Sequence, residues 1–126
     1  MNILTFCAIT IVLHTIADWF IQTRWQAENK STSYKALAAH ILTYYAFGGF
    51  GWLFILVAAG MSALAPQVVT WWFINSLAHA VTDWVTSRVG KRVYAKEQTK
   101  QHIWKVIGTD QAIHLLTFLY TASWML

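Results

Sequence analysis

The chain has 126 residues, of which 57% are hydrophobic, 16% aromatic and only 11% charged; soluble domains carry about 25% charged residues. A soluble fold of this size has too little interior for so much apolar surface, so composition predicts an integral membrane protein with one domain, residues 1–126. The net charge of +4 does not indicate nucleic acid, because the cations stand between apolar stretches as topology signals. The one cysteine, Cys7, excludes an internal disulfide and a cysteine metal cluster, and reads as a small packing residue.

Four segments are long enough to cross a bilayer, which takes roughly 20 helical residues. The first spans about 2–25. No Lys or Arg precedes Arg24, so it lacks the basic start of a cleaved signal peptide and is read as a structural span. The polar stretch "QAENKSTSYK" follows, with Ser31, Thr32 or Ser33 as N-cap. The second span covers about 34–60, and its "GGFG" at 48–51 suits close helix packing or a kink. After the turn "GMSALAPQ", Pro66 falls in the first turn of a third span, about 66–89, which Gly90 is expected to end. The basic connector "KRVYAKEQTK" leads to a fourth span, about 102–126. Ten-residue alternating segments are absent, so a barrel is excluded. The expected architecture is all-α: a polytopic membrane protein of four transmembrane helices arranged as two tandem helical hairpins.

Arg24, Lys30 and Lys35 lie in or beside the first connector, and Arg88, Lys91, Arg92, Lys96, Lys100 and Lys105 in or beside the third; these are all nine cations. The positive-inside rule puts both connectors in the cytoplasm and the termini on the opposite side. Trp25, Trp84 and Trp104 are expected at the inner interface, and Trp52, Trp71, Trp72 and Trp124 in the outer half, as interface anchors. His102 adjoins the basic connector and reads as solvated.

The polar residues inside these spans are few and ordered. Residues 14–19 read "HTIADW" and residues 79–84 "HAVTDW", a pair that suggests duplicated hairpins. His14, Asp18 and Gln22 form one stripe at four-residue spacing, as do Asn75, His79 and Asp83. Asp110 and His114, with Gln111 between them, repeat the pairing in the opposite order, and His40 stands in the second span. At 1.5 Å per residue, Asp18, Asp83 and Asp110 lie roughly 7–9 Å below the cation level and His14, His79 and His114 roughly 14–15 Å below it. His40 falls near the aspartate layer. A central aspartate costs about 2.5–3.5 kcal/mol on the insertion scale, so such residues face the bundle interior and mark function.

Imidazole and carboxylate are ligands for a divalent metal: zinc first, manganese or iron next. The candidate ligands are His14, Asp18, His40, His79, Asp83, Asp110 and His114, enough for two ions roughly 3.5–4 Å apart. Asp18, Asp83 and Asp110 double as catalytic carboxylates, with Gln22, Asn75 and Gln111 as hydrogen-bonding partners. A metal there would supply an activated water at the inner interface. The expected function is a metal-dependent hydrolase acting on membrane lipids or a lipid-linked phosphate, with Lys30, Arg88 and Lys91 attracting the phosphate. Two other readings compete: proton or cation transfer through the His/Asp cluster, and pairs that only fix helix packing. A homodimer is compatible with so small a unit, though no interface motif marks one.

The run H-x-x-x-D-x-x-x-Q with "ENK", then His40, "HAVTDW" and "DQAIH", resembles an uncharacterised family of small bacterial and phage membrane proteins called domain of unknown function 3307. The resemblance spans essentially the whole chain and implies a multi-pass membrane protein; it carries no activity. The H-x-x-x-D pattern is also similar to that of membrane-bound metal-dependent hydrolases. With no Glu in the motif, aspartate would have to serve as base.

Overall fold

The computed structural model describes residues 1–124, so the last two positions of the span expected at 102–126 lie outside the described residues. The chain is all-α, and among the described residues there is no strand. Five α-helices follow one another: α1 (Ile3–Thr15), α2 (Arg24–Asn29), α3 (Tyr34–Ala58), α4 (Ala65–Tyr94) and α5 (Ile103–Ala122).

The first span is shorter than its composition predicts. α1, capped by Asn2 on the Thr5 amide, ends at Thr15, and residues Ile16–Phe20 form a π turn closed by the Ile21 amide on the Ile16 carbonyl at 3.0 Å. The chain then bends, and Thr23 opens α2 inside the stretch expected to be a connector. The cause is a capping box: Thr23 Oγ1 accepts from the Gln26 amide, and Gln26 Oε1 accepts from the Thr23 amide. Buried Gln26 also donates to Thr43 Oγ1 at 3.2 Å, which fixes α2 against α3. Of the three candidate caps for α3, Ser33 is the one used, accepting from the Ala36 amide. α3 ends at Ala58, two residues before Gly60, whose φ of +69° is the left-handed turn that glycine permits.

Gly90 does not end the third long helix. α4 runs through it to Tyr94, and Gly90 is buried where the Ile103 side chain of α5 would press within 3.3 Å of a Cβ. Its lack of a side chain serves helix approach rather than termination. The same holds in α3, where a Cβ on Gly48 would overlap the Trp72 ring and one on Gly51 would meet Leu13 at 2.6 Å. "GGFG" is therefore a packing surface for α4 and α1 within an unbroken helix.

The long helices form a ring. α3 packs on α4, α4 on α5, α5 on α1 and α1 on α3, which leaves α1/α4 and α3/α5 as the two diagonals. Phe6, Trp52, Trp71, Trp72 and Phe118 fill one end of the interior, with Phe6 stacked on Trp52 at 4.8 Å. This corrects the expected anchoring role of three tryptophans. Trp52, Trp71 and Trp72 are core residues, while Trp25, Trp84, Trp104 and Trp124 are exposed. Two of the buried indoles find partners, Trp71 donating to Thr121 Oγ1 at 2.9 Å and Trp72 to the Tyr45 carbonyl at 3.2 Å, as buried tryptophan requires. Cys7 is a half-buried free thiol packed against this cluster. Two segments are long and apolar enough to cross a membrane, Ile3–Phe20 at a mean hydropathy of 1.8 and Tyr34–Ala58 at 1.7.

Candidate functional site

The other end of the interior is polar, and each of the four long helices adds a histidine to it. His14 and, from the π turn, Asp18 meet His79 of α4 across one diagonal; His40 of α3 stands beside His79, and His114 of α5 beside His14 and His79. All four imidazoles, Asp18 and Asp83 are buried, and Asp110 is half-buried. The rings of His14, His79 and His114 touch one another, with centroids 4.2–5.6 Å apart. The π turn matters here, because an extra backbone atom group per turn rotates Asp18 relative to His14. The two copies of the repeat thus differ in backbone: "HTIADW" is part π, while "HAVTDW" is regular α.

Four donor atoms converge at the centre. His40 Nε2 lies 3.2 Å from Asp18 Oδ1, 3.1 Å from Asp83 Oδ2 and 3.2 Å from His79 Nε2. His79 Nε2 lies 3.6 Å from Asp18 Oδ1 and 3.7 Å from Asp83 Oδ2. Each neutral imidazole brings at most one N–H to this point, and where that of one ring serves the other ring's nitrogen it is not available to the carboxylate oxygens beside it. Asp18 Oδ1 makes no hydrogen bond, and the outer Nδ1 atoms of His40 and His79 have no partner among the described residues. Ligands about 2.0–2.2 Å from a tetrahedral zinc stand about 3.3–3.6 Å apart. The five separations here, 3.1–3.7 Å, bracket that range. Asp18, His40, His79 and Asp83 are the residues that could hold one metal ion.

A cation of the chain itself reaches the same point. Lys30, from the end of α2, donates to Asp83 Oδ2 at 2.7 Å. Of the two cations expected beside it, Lys91 is exposed, and half-buried Arg88 lays its guanidinium over the Trp84 and Tyr34 rings instead.

Gln111 ties the rest together. Its amide nitrogen donates to Asp18 Oδ2 at 3.0 Å and to Asp110 Oδ2 at 3.1 Å, so its oxygen must face His14 Nε2 at 3.2 Å. That fixes the His14 proton on Nε2, and the Tyr44 hydroxyl then donates to Nδ1 at 3.0 Å. With both nitrogens engaged, His14 is a hydrogen-bonded member of the network. Thr86 donates to the other Asp110 oxygen at 2.5 Å. Gln22 and Asn75 do not reach the carboxylates. Gln22 donates to the Asp18 carbonyl; Asn75 donates to the Trp71 carbonyl and accepts from Thr121, a turn deeper. Each side chain found a nearer partner in its own helix.

A cavity of about 210 Å³ opens beside the cluster, lined by Asp18, Lys30, Asp83 and Asp110 with Trp19 and Ile107 toward its mouth. It lies at the end of the bundle that carries the cations. Two contributors are absent from the sequence reading. Tyr44 stands four residues after His40, and Thr86 three after Asp83, so each continues a stripe already marked by a polar residue. His102 is exposed.

No curated protein and no solved structure matches the chain. A family match covers residues 6–126, nearly the whole chain, and by it the chain belongs to the family described as "Protein of unknown function (DUF3307)".

Proposed function

We propose that this is a four-span membrane protein whose bundle holds a divalent metal on Asp18, His40, His79 and Asp83, and that it is a hydrolase of phosphate-bearing or lipidic substrates at the cytoplasmic interface. The observation that carries the reading is the convergence of two imidazole nitrogens and two carboxylate oxygens at tetrahedral spacing, with Asp18 Oδ1 left without a hydrogen bond. Zinc suits the nitrogen and oxygen donors best, with manganese or iron next. The cavity beside it takes the substrate, with Lys30 as the basic group on its wall.

The membrane part is supported by an inside-out distribution of polarity. Leu42, Phe50, Phe54, Leu77, Val81, Leu116 and Leu119 are exposed, while four of the five histidines and two of the three aspartates are buried. In the middle of α4, Asn75, His79 and Asp83 face inward while Phe73, Ile74, Leu77, Val81 and Val85 are exposed, as lipid contact requires. The cations of the two basic connectors and the cavity mouth fall at one end, which the positive-inside rule makes cytoplasmic, in a bacterial inner membrane or that of a phage host.

Elemental analysis of the detergent-purified, folded protein tests the reading. Stoichiometric zinc, manganese or iron, lost in His79→Gln, is the expected result; metal-free protein that takes up none of the three overturns it. A second reading has its own observation. The Lys30–Asp83 ion pair and the chain from Tyr44 through His14 and Gln111 to Asp18 and Asp110 suit proton or cation transfer. Proteoliposomes showing cation or proton flux that Asp83→Asn abolishes, with no turnover of lipid phosphate, would favour it.

A further inference from the structure

We infer that the bundle holds a second divalent cation, on Asp83, Asp110 and His114, with Asp83 as the bridge between two metal ions. The inference rests on the metal reading above and extends it from one ion to a pair.

Three observations lead to it. The first is an unused ligand. His114 is 2% exposed, and neither of its ring nitrogens has a hydrogen-bond partner among the described residues. A buried imidazole with both nitrogens idle is costly, and each idle group calls for an explanation. Its Nε2 lies 3.9 Å from Asp83 Oδ1 and its Nδ1 3.6 Å from Asp110 Oδ2. The three residues can bring one donor atom each within 4.8 Å of one another.

The second is the division of the Asp83 carboxylate. Oδ2 belongs to the first cluster, beside His40 and His79; Oδ1 points toward His114. A carboxylate that turns one oxygen to each of two ligand groups has the form of a bridge between ions about 3.5–4 Å apart.

The third is charge. Among the described residues that line the cavity, Asp18, Asp83 and Asp110 face Lys30 alone, so with neutral imidazoles the cavity keeps two negative charges. That field repels a phosphate. One divalent ion makes the site neutral, and only a second makes it attract an anion. A hydrolase for phosphate-bearing substrates therefore needs the pair in this cavity. The hairpins themselves mark where the extra ligand lies. His40 and Tyr44 in the first have the same spacing as His114 and Phe118 in the second, and four residues before them stand Ala36 and Asp110. The second hairpin carries a carboxylate where the first has a methyl group, with Thr86 and Gln111 orienting it.

The test is metal stoichiometry on the full chain in detergent, stripped of metal and titrated with Mn²⁺ or Zn²⁺. Two equivalents per chain are expected, falling to one in Asp110→Asn and in His114→Gln. Mn²⁺-loaded wild-type protein should also show the paramagnetic signal of a spin-coupled pair, a readout that requires no variant to fold. One equivalent in the wild type, with an uncoupled signal, overturns the second site and leaves the single centre standing. No bound metal overturns both readings.

Discussion

Lys30→Met separates a metal centre from a lysine-neutralised network, because the two give opposite signs. Lys30 Nζ donates to Asp83 Oδ2 at 2.7 Å, with the two side chains 16% and 1% exposed. Removing one partner of a buried pair costs about 3–5 kcal/mol; since Lys30 retains some solvent contact, the lower end, about 3 kcal/mol, is expected without metal. Asp83 Oδ2 is also one of the four converging donors, so a bound metal must displace or share it with the ammonium. A hydrogen bond between charged groups contributes about 1.5–3 kcal/mol. Deleting a competitor of about 2 kcal/mol should tighten metal binding roughly 30-fold. Methionine keeps the length and apolar stem of lysine, so packing is little changed. The assays are thermal unfolding in detergent with and without saturating zinc, and calorimetric zinc titration. The expected variant is less stable than wild type when metal-free, restored by zinc, and tighter in zinc affinity. If zinc neither binds more tightly nor restores stability, Lys30 is the native counter-ion and the metal assignment to Asp83 Oδ2 is refuted.

Three further outcomes follow from the geometry. Gln111→Leu leaves Asp18 Oδ2 and the His14 N–H unpaired; at about 1–3 kcal/mol for each lost partner, it should lower the unfolding midpoint markedly, whereas Gln111→Glu, which sets a third carboxylate between two, should lower it more. Tyr44→Phe removes the bond to His14 Nδ1 but keeps the ring stacked on His79 at 4.1 Å, so a loss of about 1 kcal/mol in denaturation with unchanged metal stoichiometry is expected. Gly48→Ala drives a methyl into the Trp72 ring and should cost about 1–3 kcal/mol, recovered in part when paired with Trp72→Leu; equal damage in the single and double variants would show that the contact is not the cause.

The His/Asp pairs were legible because a charged residue in an apolar helix is rare enough to stand out and the four-residue spacing puts it on one face. The four side chains that converge, Asp18, His40, His79 and Asp83, could all be named as polar residues of the bundle interior from spacing and depth. The tryptophans were not legible in the same way. Lipid and bundle interior are both apolar, so Trp52 and Trp71 look alike whether they face outward or inward; only the partners of their helices decide. Asn75 shows the reverse failure, since its stripe position was right but its side chain bonds the carbonyl of Trp71, which no spacing reveals. The π turn at Ile16–Phe20 has no composition signal; its cause is tertiary, the placement of Asp18 opposite His40. Lys30 was read as a cation that attracts phosphate; its bond to Asp83 was not legible, because it depends on α2 carrying it to the cavity.

The number of protons argues against a purely structural cluster. Fixing the register of a bundle needs one polar pair whose donors match its acceptors, and interhelical hydrogen bonds in membranes average only about 0.6 kcal/mol each. The Tyr44–His14–Gln111 chain meets that need, since every donor in it has an acceptor. The cluster around His40 does not: Asp18 Oδ1 is orphaned, and two imidazole nitrogens stand 3.2 Å apart with carboxylate oxygens on either side. A proton between the two rings makes that contact a hydrogen bond, and the carboxylate oxygens beside it keep lone pairs that positive charge would stabilise. Lys30 supplies one such charge at the edge, bonded to Asp83 but not to Asp18. In the proposed reading a divalent cation at the centre of the four atoms would be held by all of them. The bundle therefore holds two polar systems of different kinds, one complete in its own hydrogen bonds and one in which Asp18 Oδ1 is left without a hydrogen bond.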